Sequence, residues 1–170
     1  MKPTIINSYQ GNKLAPFFTK IYPFSNHYKT YFTIDGTTYC CSEQYYMRMK
    51  AHIFYDFDSE ERIMRATEAS EIKRIGSNIM HFDHNQWRKI SILIMVIANY
   101  EKFRQNPLLK KMLLETSGCI LVEATSRDLY WGAGVDLGTE TLKDQSKWTG
   151  QNGLGRVLMR LRSKLINKIK

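Results

Sequence analysis

A carboxylate, an amine and an aromatic ring fall at helical spacing in one short segment of this 170-residue chain. We predict a helix from Ser42, which can act as its cap, to about Ala51. Glu43, Tyr46 and Lys50 then share one face, since they lie three and four residues apart. Lys50 is about 10 Å from Glu43 along the axis, and its side chain leans toward the amino terminus. The two charged groups can therefore meet or share a ligand. An acid in a first turn is also favoured by the helix dipole alone, so position by itself assigns Glu43 no function.

The three tryptophans offer flat faces on which a nucleobase can stack. Trp87 begins the longest predicted helix, whereas Trp131 and Trp148 lie in an irregular stretch that contains several glycines. Packing is the commoner role for each, but two tryptophans in such a loop are unusual. Asp128, three residues before Trp131, is interpreted either as a second acid or as a turn former.

The segment 148–155, WTGQNGLG, opens the last predicted helix. The free amides and the positive dipole end of a helix start can bind an anion, and glycines let a ligand approach the backbone. The segment, which includes Asn152, Gly153 and Gly155, is therefore a candidate phosphate cradle. An ordinary helix cap explains the same residues. The segment also lacks the Gly-Lys-Ser/Thr of a Walker loop and the strand that precedes a Rossmann fingerprint.

The cysteines and histidines form no recognisable metal or disulfide pattern. Cys40, Cys41 and Cys119 are odd in number and lack the paired spacing of zinc ligands. They fit a reducing compartment, and we interpret them as small apolar fillers. For His81 and His84 we favour structural roles. The sequence predicts no metal site, no cofactor and no serine triad or nucleophile elbow.

Local signals predict the elements that must position these residues. Two short β-type runs flank Asp35-Gly36, which tolerates the positive φ angles of a tight hairpin turn. A helical pair is expected between Ser59 and Ser77. The longest helix covers about 85–104, and its segment 90–98 is apolar almost all round, so we expect it at the centre of the core.

The remainder is predicted to contain two more helices and a strand. Asn106 and Pro107 cap and open a helix, a strand covers 119–122, and a loop covers 128–150. The last helix begins near Asn152 and carries one apolar stripe. The residues expected to be buried on these two helices are Leu108, Leu109, Met112, Leu113, Leu154, Val157, Leu158, Leu161 and Leu165. We predict a mostly helical α+β fold, a single domain over 1–170 with a small antiparallel sheet.

Composition indicates a packed domain with anionic partners. The apolar fraction of 43% argues against disorder, and no apolar stretch reaches the roughly 18 residues of a membrane span. The amino terminus lacks the apolar core of a secretory signal. We therefore expect a cytoplasmic protein, or a nuclear one in a eukaryote, without a membrane partner.

The net charge of +9 favours phosphates or nucleic acid as partners. Six basic residues and no acid lie within 156–170, for which we favour one solvated helix face over a dedicated nucleic-acid surface.

Taken in order, these motifs resemble the NADAR family. The resemblance runs from about Ile5 to Arg162, and the order and spacing of the pieces make the set specific although each is weak alone. The matching pieces are FSN at 24–26, the hairpin with Asp35-Gly36, SEQYY at 42–46 with Lys50-Ala51, Trp87, KFRQNP at 102–107, LVEA at 121–124, DLYWGAG at 128–134 and NGLGRVLM at 152–159. The chain departs from the family at Gln44, where a histidine is usual, and at His27, where an aromatic residue is commoner. Its loop 134–148 is also longer than in compact bacterial members, and substrate selection could reside there.

The resemblance implies an N-glycosidase that hydrolyses the ribosyl C1′–N bond of a phosphorylated nucleoside-like substrate, of the riboflavin-pathway ribosylaminopyrimidine phosphate type. Breaking that bond builds positive charge on the sugar, which a nearby carboxylate can stabilise. Two mechanisms stay open. Glu43 and Asp128 can act as electrostatic partner and base for direct hydrolysis. Alternatively, Lys50 can trap the opened ribose as a Schiff base while Glu43 moves protons.

The resemblance also implies a substrate-binding set, in which Trp87 and Trp131 contact the base and Asn152 holds phosphate or ribose. The full set is Ser25, Asn26, Tyr46, Trp87, Trp131, Gly132, Asn152, Gly153 and Gly155. Two other functions compete. One is removal of ADP-ribose from guanine, with DNA as the carrier of the modification. The other is a non-catalytic module that binds ADP-ribose or nucleic acid.

Overall fold

The computed structural model describes residues 2–167 and has an α+β fold with more helix than strand, which confirms the predicted fold class. In chain order its elements are β1 (Ile6–Asn7), β2 (Lys13–Phe17), β3 (Phe32–Ile34), β4 (Thr37–Tyr39), α1 (Ser42–Ile53), α2 (Phe57–Arg65), α3 (Ala69–Gly76), α4 (His84–Gln105), α5 (Pro107–Glu115), β5 (Ile120–Glu123), two short 3₁₀ helices (Glu140–Lys143 and Gln145–Lys147) and α6 (Gly153–Asn167). The chain divides into two compact units, a central unit of Asn26–Asn106 and a terminal unit of Met1–Ser25 with Pro107–Lys170. That 1–170 forms a single domain stays a prediction.

The central unit begins with the predicted hairpin. Strands β3 and β4 pair antiparallel, and the two turn residues have positive φ angles, 48° at Asp35 and 76° at Gly36. A two-residue hairpin turn of the primed type requires this conformation. Phe32 and Tyr39 are paired across the strands, and their buried rings stack with centroids 5.8 Å apart.

Helix α1 lies against α2, α3 and α4, so the rest of the central unit is built around it. Each of two neighbouring helices starts at a capping aspartate. Asp56 accepts a hydrogen bond from the Ser59 N–H at 3.1 Å, and Asp83 accepts from the amides of Asn85 and Gln86. These caps satisfy backbone donors that a helix start leaves without a partner. The predicted helical pair between Ser59 and Ser77 is confirmed as α2 and α3.

Helix α4 corrects one prediction. Its length agrees with the sequence, but its apolar segment does not lie wholly in the core. Met95 and Ala98 are buried, whereas Ile92 is 45% exposed and Leu93 61% exposed. The successive residues of a helix point in different directions, so packing against α1 and β3 covers only part of the helix surface.

The terminal unit contains a three-stranded sheet of order β1-β2-β5. Strand β1 pairs antiparallel with β2, and β2 pairs parallel with β5 from Leu14–Ile120 to Phe17–Glu123. The predicted strand near 119–122 is confirmed as β5, but its parallel partner was not predicted. Helix α6 packs on β5, and α5 packs on α6.

The apolar residues of α5 and α6 follow the predictions with two exceptions. Leu109 and Leu113 of α5 are buried, and so is the whole stripe of α6. Leu108 is 77% exposed, and Met112 is only half-buried. Because Leu109 and Leu113 are four residues apart, they fall on one face, and Leu108 points away from it.

The basic run at the end of the chain is not one solvated face. Arg156, Arg160 and Lys164 are exposed, but Arg162 is buried and donates hydrogen bonds to the Thr116 hydroxyl at 2.8 Å and the Cys119 carbonyl at 3.0 Å. Burial lowers the pKa of this guanidinium. The last basic residues, 168 and 170, lie outside the described residues.

Within residues 2–167, no helix has both the length and the apolar character that a membrane span requires.

Candidate active site

Glu43 is the second residue of α1 and its side chain is buried. Its backbone N–H donates a hydrogen bond to the Asn26 carbonyl at 3.1 Å, so a loop residue holds the start of the helix. Ser42 does not cap α1 as predicted. Cys41 occupies the N-cap position, and Ser42 is already the first helical residue. Its hydroxyl is buried and has no hydrogen-bond partner among the described residues.

His27 lies beside the Glu43 carboxylate. The distance from its Nε2 to Glu43 Oε2 is 3.7 Å, and the two side chains are 29% and 8% exposed. Burial lowers the pKa of His27 to about 4, and the positive charges of Lys73 and Lys102 act in the same direction. The imidazole is therefore neutral at pH 7, so its contact with Glu43 is not an ion pair at that pH.

Lys50 is a buried amine on the same helix. Its Nζ donates to the Gly76 carbonyl at 2.7 Å and lies 3.9 Å from the centroid of the Phe82 ring. Burial lowers the pKa of Lys50, while the charge of Glu43 acts in the opposite direction. A desolvated lysine has a larger neutral fraction, and the neutral amine is the form that attacks a carbonyl carbon.

Tyr46 and Trp87 form a buried aromatic pair. The indole Nε1–H of Trp87 donates to the Tyr46 hydroxyl at 3.1 Å. Their rings meet edge to face, with centroids 5.1 Å apart. The pair fixes the orientation of both rings. That either ring stacks on a substrate base stays a prediction.

A buried amide pair holds Asn26. The Asn99 amide donates to Asn26 Oδ1 at 3.1 Å, and the Asn26 amide donates to the Met95 sulfur at 3.0 Å. Asn99 also donates to the Met95 carbonyl one turn earlier on α4. Helix α4 thus positions the loop residue whose carbonyl binds Glu43.

The side chain of Gln44, the residue after Glu43, forms hydrogen bonds with backbone groups of the fold. Its Nε2 donates to the carbonyls of Ile63 at 3.0 Å and Ala66 at 3.1 Å. Its Oε1 accepts from the Cys40 N–H at 2.8 Å. These bonds join the end of α2 to the start of α1. Gln44 therefore satisfies backbone groups through its own amide, so its role in the structure is positional.

The predicted site residues of the terminal unit have contacts within that unit. Asp128 Oδ1 accepts from the N–H groups of Tyr130 at 3.0 Å and Trp131 at 2.8 Å, which is the pattern of a turn former. The Trp131 ring packs edge to face on Tyr130. Ser25 is buried, and its N–H donates to the Tyr22 carbonyl.

Asn152 bridges the backbone of β5. Its Oδ1 accepts from the Glu123 N–H at 3.0 Å, and its Nδ2 donates to the Leu121 carbonyl at 2.8 Å. Its own backbone has a positive φ of 49°, which asparagine tolerates better than most residues. Its side chain therefore ties the start of α6 to the sheet.

The candidate glycines lie against protein backbone. A Cβ at Gly155 would overlap the Leu121 carbonyl, and a Cβ at Gly153 would overlap the Tyr130 carbonyl. Gly132 is equally close to the Asp128 carbonyl. Close packing explains why these positions need glycine, without a ligand near the backbone. Within residues 2–167, no three His, Cys, Asp or Glu side chains cluster as metal ligands would.

The model of the NADAR domain matches residues 12–166. This chain belongs to the NADAR family. An N-glycosidase of Acanthamoeba polyphaga mimivirus is 38% identical over 124 residues, which cover 73% of each chain. A riboflavin biosynthesis protein of Vibrio vulnificus is 32% identical over 157 residues, which cover 92% of this chain but only 37% of that longer protein. The NMR structure of the E. coli protein YbiA aligns with 100% of this chain and 90% of its own, with a TM-score of 0.75 and 30% identity.

For this NADAR chain, one part of the arrangement around Glu43 can be predicted from the sequence and the other part cannot. The helical spacing correctly placed Glu43, Tyr46 and Lys50 on one helix. It gave no reason to bring His27 to Glu43. It also missed Asn99, although a polar residue inside the apolar stretch of α4 is a signal that a buried hydrogen bond is needed there.

Proposed function

We propose that this NADAR protein is an N-glycosidase in which Glu43 is the central catalytic carboxylate. The observation that carries the proposal is the arrangement around Glu43. The side chain of Glu43 is buried, and its backbone N–H donates a hydrogen bond to the Asn26 carbonyl at 3.1 Å. The neutral His27 imidazole lies 3.7 Å from the carboxylate. The buried amine of Lys50 is on the same helix.

This arrangement suits cleavage of a ribosyl C1′–N bond. The sugar becomes positively charged as the base departs, and a carboxylate in a water-poor site stabilises that charge more strongly than one in bulk water. Glu43 also has the chemistry to relay a proton between the attacking group and the departing nitrogen. Lys50 offers the second route, in which its neutral amine attacks the opened sugar.

We propose a phosphorylated ribosyl small molecule as the substrate, with the ribosylaminopyrimidine phosphate of riboflavin synthesis as the first candidate. Similarity to proteins named N-glycosidase and riboflavin biosynthesis protein supports this choice. The roles predicted for Asp128, Trp131 and the glycines stay predictions, because their contacts are explained by the fold of the terminal unit. The three free cysteines suit a reducing compartment, and we propose the cytoplasm.

The second candidate substrate is ADP-ribose attached to guanine in DNA. The charge of α6 supports this candidate. The helix contains no acidic residue and exposes Arg156, Arg160 and Lys164 at intervals of four residues. This spacing aligns the three side chains along one face. Binding through several phosphates would weaken steeply as salt rises, whereas binding of a small nucleotide would change far less.

The test is mass analysis of the products after incubation with three substrates: ribosylaminopyrimidine phosphate, ADP-ribose and ADP-ribosylated DNA. We expect the purified protein to release the base from the first. The variant Glu43→Gln should abolish release while its circular dichroism spectrum stays that of the wild type. Glu61→Gln is the matched control, since Glu61 is exposed and pairs with Arg65 on the surface of α2.

Unchanged release by a folded Glu43→Gln protein would exclude Glu43 as the catalytic carboxylate. Binding of a substrate without any release by the wild type would instead support the non-catalytic module.

A further inference from the structure

His27 places an imidazole nitrogen at a fixed distance from the Glu43 carboxylate. The 3.7 Å between Nε2 and Oε2 is too long for a direct hydrogen bond. One water oxygen can nevertheless lie within hydrogen-bond distance of both atoms at once. The pair therefore has the spacing of two groups that bind the same small polar molecule.

The charge state of His27 decides what that molecule can do. Burial and the charges of Lys73 and Lys102 keep the imidazole neutral at pH 7. A neutral imidazole has one nitrogen that accepts a hydrogen bond. With Nε2 as that nitrogen, His27 and Glu43 present two acceptors to one water.

We propose that His27 is a second catalytic residue, which together with Glu43 orients the water that attacks C1′. The proposal rests on the proposed glycosidase function. The water donates one O–H to Glu43 Oε2 and the other to His27 Nε2, so its lone pairs point away from both acceptors and toward the sugar carbon.

In direct hydrolysis the water oxygen bonds to C1′, and the C1′–N bond to the base breaks with its electron pair leaving on nitrogen. Glu43 carries one water proton to that nitrogen, and the other stays on the new C1′ hydroxyl. In hydrolysis of the protonated Schiff base the water oxygen adds to C1′, the π pair of the C1′=N bond moves to the Lys50 nitrogen, and Glu43 carries one water proton to that nitrogen. The hydroxyl then gives its proton to Glu43 as the C1′ carbonyl forms, and the remaining C1′–N bond breaks with its pair on the Lys50 amine, which takes up that second proton.

The neighbouring polar groups are engaged in other contacts. Gln44 binds backbone groups with both ends of its amide, and the Asn26 carboxamide oxygen accepts from Asn99. Protonated Lys50 can only donate hydrogen bonds. His27 therefore has the chemistry that these three side chains cannot offer the water at Glu43.

The fold also holds His27 in place relative to Glu43. The residue before it, Asn26, is bonded to the Glu43 N–H through its carbonyl. Its side chain is bonded to Asn99 and Met95 of α4. The loop that carries His27 is thus tied to two helices, which is the support that a precisely positioned group requires.

The test compares multiple-turnover kinetics of His27→Phe and His27→Gln, using whichever of the three substrates the wild type cleaves. His27→Phe keeps a planar ring but cannot accept a hydrogen bond, and we expect kcat to fall roughly a hundredfold or more with KM within about threefold. His27→Gln restores an acceptor and should recover part of the loss. His52→Phe is the matched control, since His52 is exposed and pairs with Glu60. It should keep the wild-type rate.

Substrate binding separates orientation of water from a structural role. In the inactive Glu43→Gln background, adding His27→Phe should leave the calorimetric Kd of the substrate within about threefold, because His27 contacts water and not the base. A kcat for His27→Phe within twofold of wild type would overturn the proposal. A loss of affinity as large as the loss of kcat/KM would do the same.

The two proposals fail in different ways. If the wild type releases no base from any substrate, the glycosidase function and the role of His27 both fall. If the wild type is active and His27→Phe equally so, only the role of His27 falls. Should His27→Phe not fold, His27→Ala is judged by the same criteria, because its smaller side chain leaves the packing of the loop unstrained.

Discussion

The carboxylate of Glu43 and the imidazole of His27 lie 3.7 Å apart although they are carried by different parts of the central unit. Glu43 belongs to the first turn of α1, and His27 to the loop that precedes β3. A backbone hydrogen bond, from the Glu43 N–H to the Asn26 carbonyl, joins the two parts at this point. The position of the Glu43 carboxylate therefore depends on how firmly the start of α1 is held.

Gln44 is the residue that we expect to contribute most to that support. Replacing it by leucine keeps its approximate size but removes the partners of the Ile63 and Ala66 carbonyls and of the Cys40 N–H. Leaving buried backbone groups without partners costs about 1–3 kcal/mol each. We expect Gln44→Leu to lower the free energy of unfolding in urea by about 3 kcal/mol.

The control for this substitution is Gln86→Leu, at an exposed position in the first turn of α4. It should change the free energy of unfolding by less than about 0.5 kcal/mol. Equal stabilities of the two variants would show that the Gln44 bonds contribute little.

Gln44 illustrates which features of the structure can be predicted from the sequence and which cannot. The hairpin at Asp35-Gly36 and the shared face of Glu43 and Lys50 are local, because turn chemistry and helical spacing determine them. The carbonyl partners of Gln44, Ile63 and Ala66, lie about 20 residues away at the end of α2. Such a contact depends on how helices pack, and neither propensity nor periodicity carries that information.

The same limit applies to the residues of the terminal unit that are predicted to bind substrate. Asn152 and the glycines after it resemble a phosphate-binding helix start, because both kinds of site need exposed amides and little side-chain volume. What distinguishes them is whether a ligand or another backbone occupies the space. The Leu121 carbonyl of β5 occupies it at Gly155 and the Tyr130 carbonyl occupies it at Gly153. The contact of β5 with Asn152 spans about 30 residues of sequence.

Lys50 should form a covalent adduct if the Schiff-base route operates. Burial lowers its pKa, which increases the neutral fraction able to attack the opened ribose. We expect incubation with substrate and sodium borohydride to add the mass of a reduced sugar, and peptide mapping to locate it at Lys50. Lys50→Met should acquire no such mass. Repeated absence of the adduct from active wild-type protein would favour direct hydrolysis.

Cys40 should react with iodoacetamide at a lower pH than an ordinary cysteine. The Cys40 thiol donates to the Cys41 sulfur at 4.0 Å, and on ionisation of Cys40 the Cys41 thiol can donate in return. This side-chain hydrogen bond lowers the pKa of Cys40 to about 7. The same bond and burial raise the pKa of Cys41. Because the thiolate is the reactive form, alkylation of Cys40 should increase through pH 7 and level off above pH 8.

Peptide mass spectrometry across a pH series measures this midpoint. Cys41→Ala removes the donor that stabilises the Cys40 thiolate, so we expect its alkylation curve to move to higher pH. The direction follows from the chemistry, since loss of a hydrogen bond to the charged form raises the pKa of an acid. An unmoved curve would mean that Cys41 does not control the reactivity of Cys40.

Gly155 provides a test of how tightly α6 packs on β5. Alanine normally stabilises a helix interior relative to glycine by about 1 kcal/mol. Here the added Cβ would overlap the Leu121 carbonyl and the side-chain amide of Asn152. Helix and strand must then separate, and overpacking of this kind typically costs about 1–3 kcal/mol. We therefore expect Gly155→Ala to lower the free energy of unfolding, measured in urea, by about 2 kcal/mol. Ser163→Ala, at an exposed position of the same helix, should leave stability unchanged or slightly higher. A stabilising Gly155→Ala would contradict the close contact between α6 and β5 and would reopen the glycine-rich segment to a ligand.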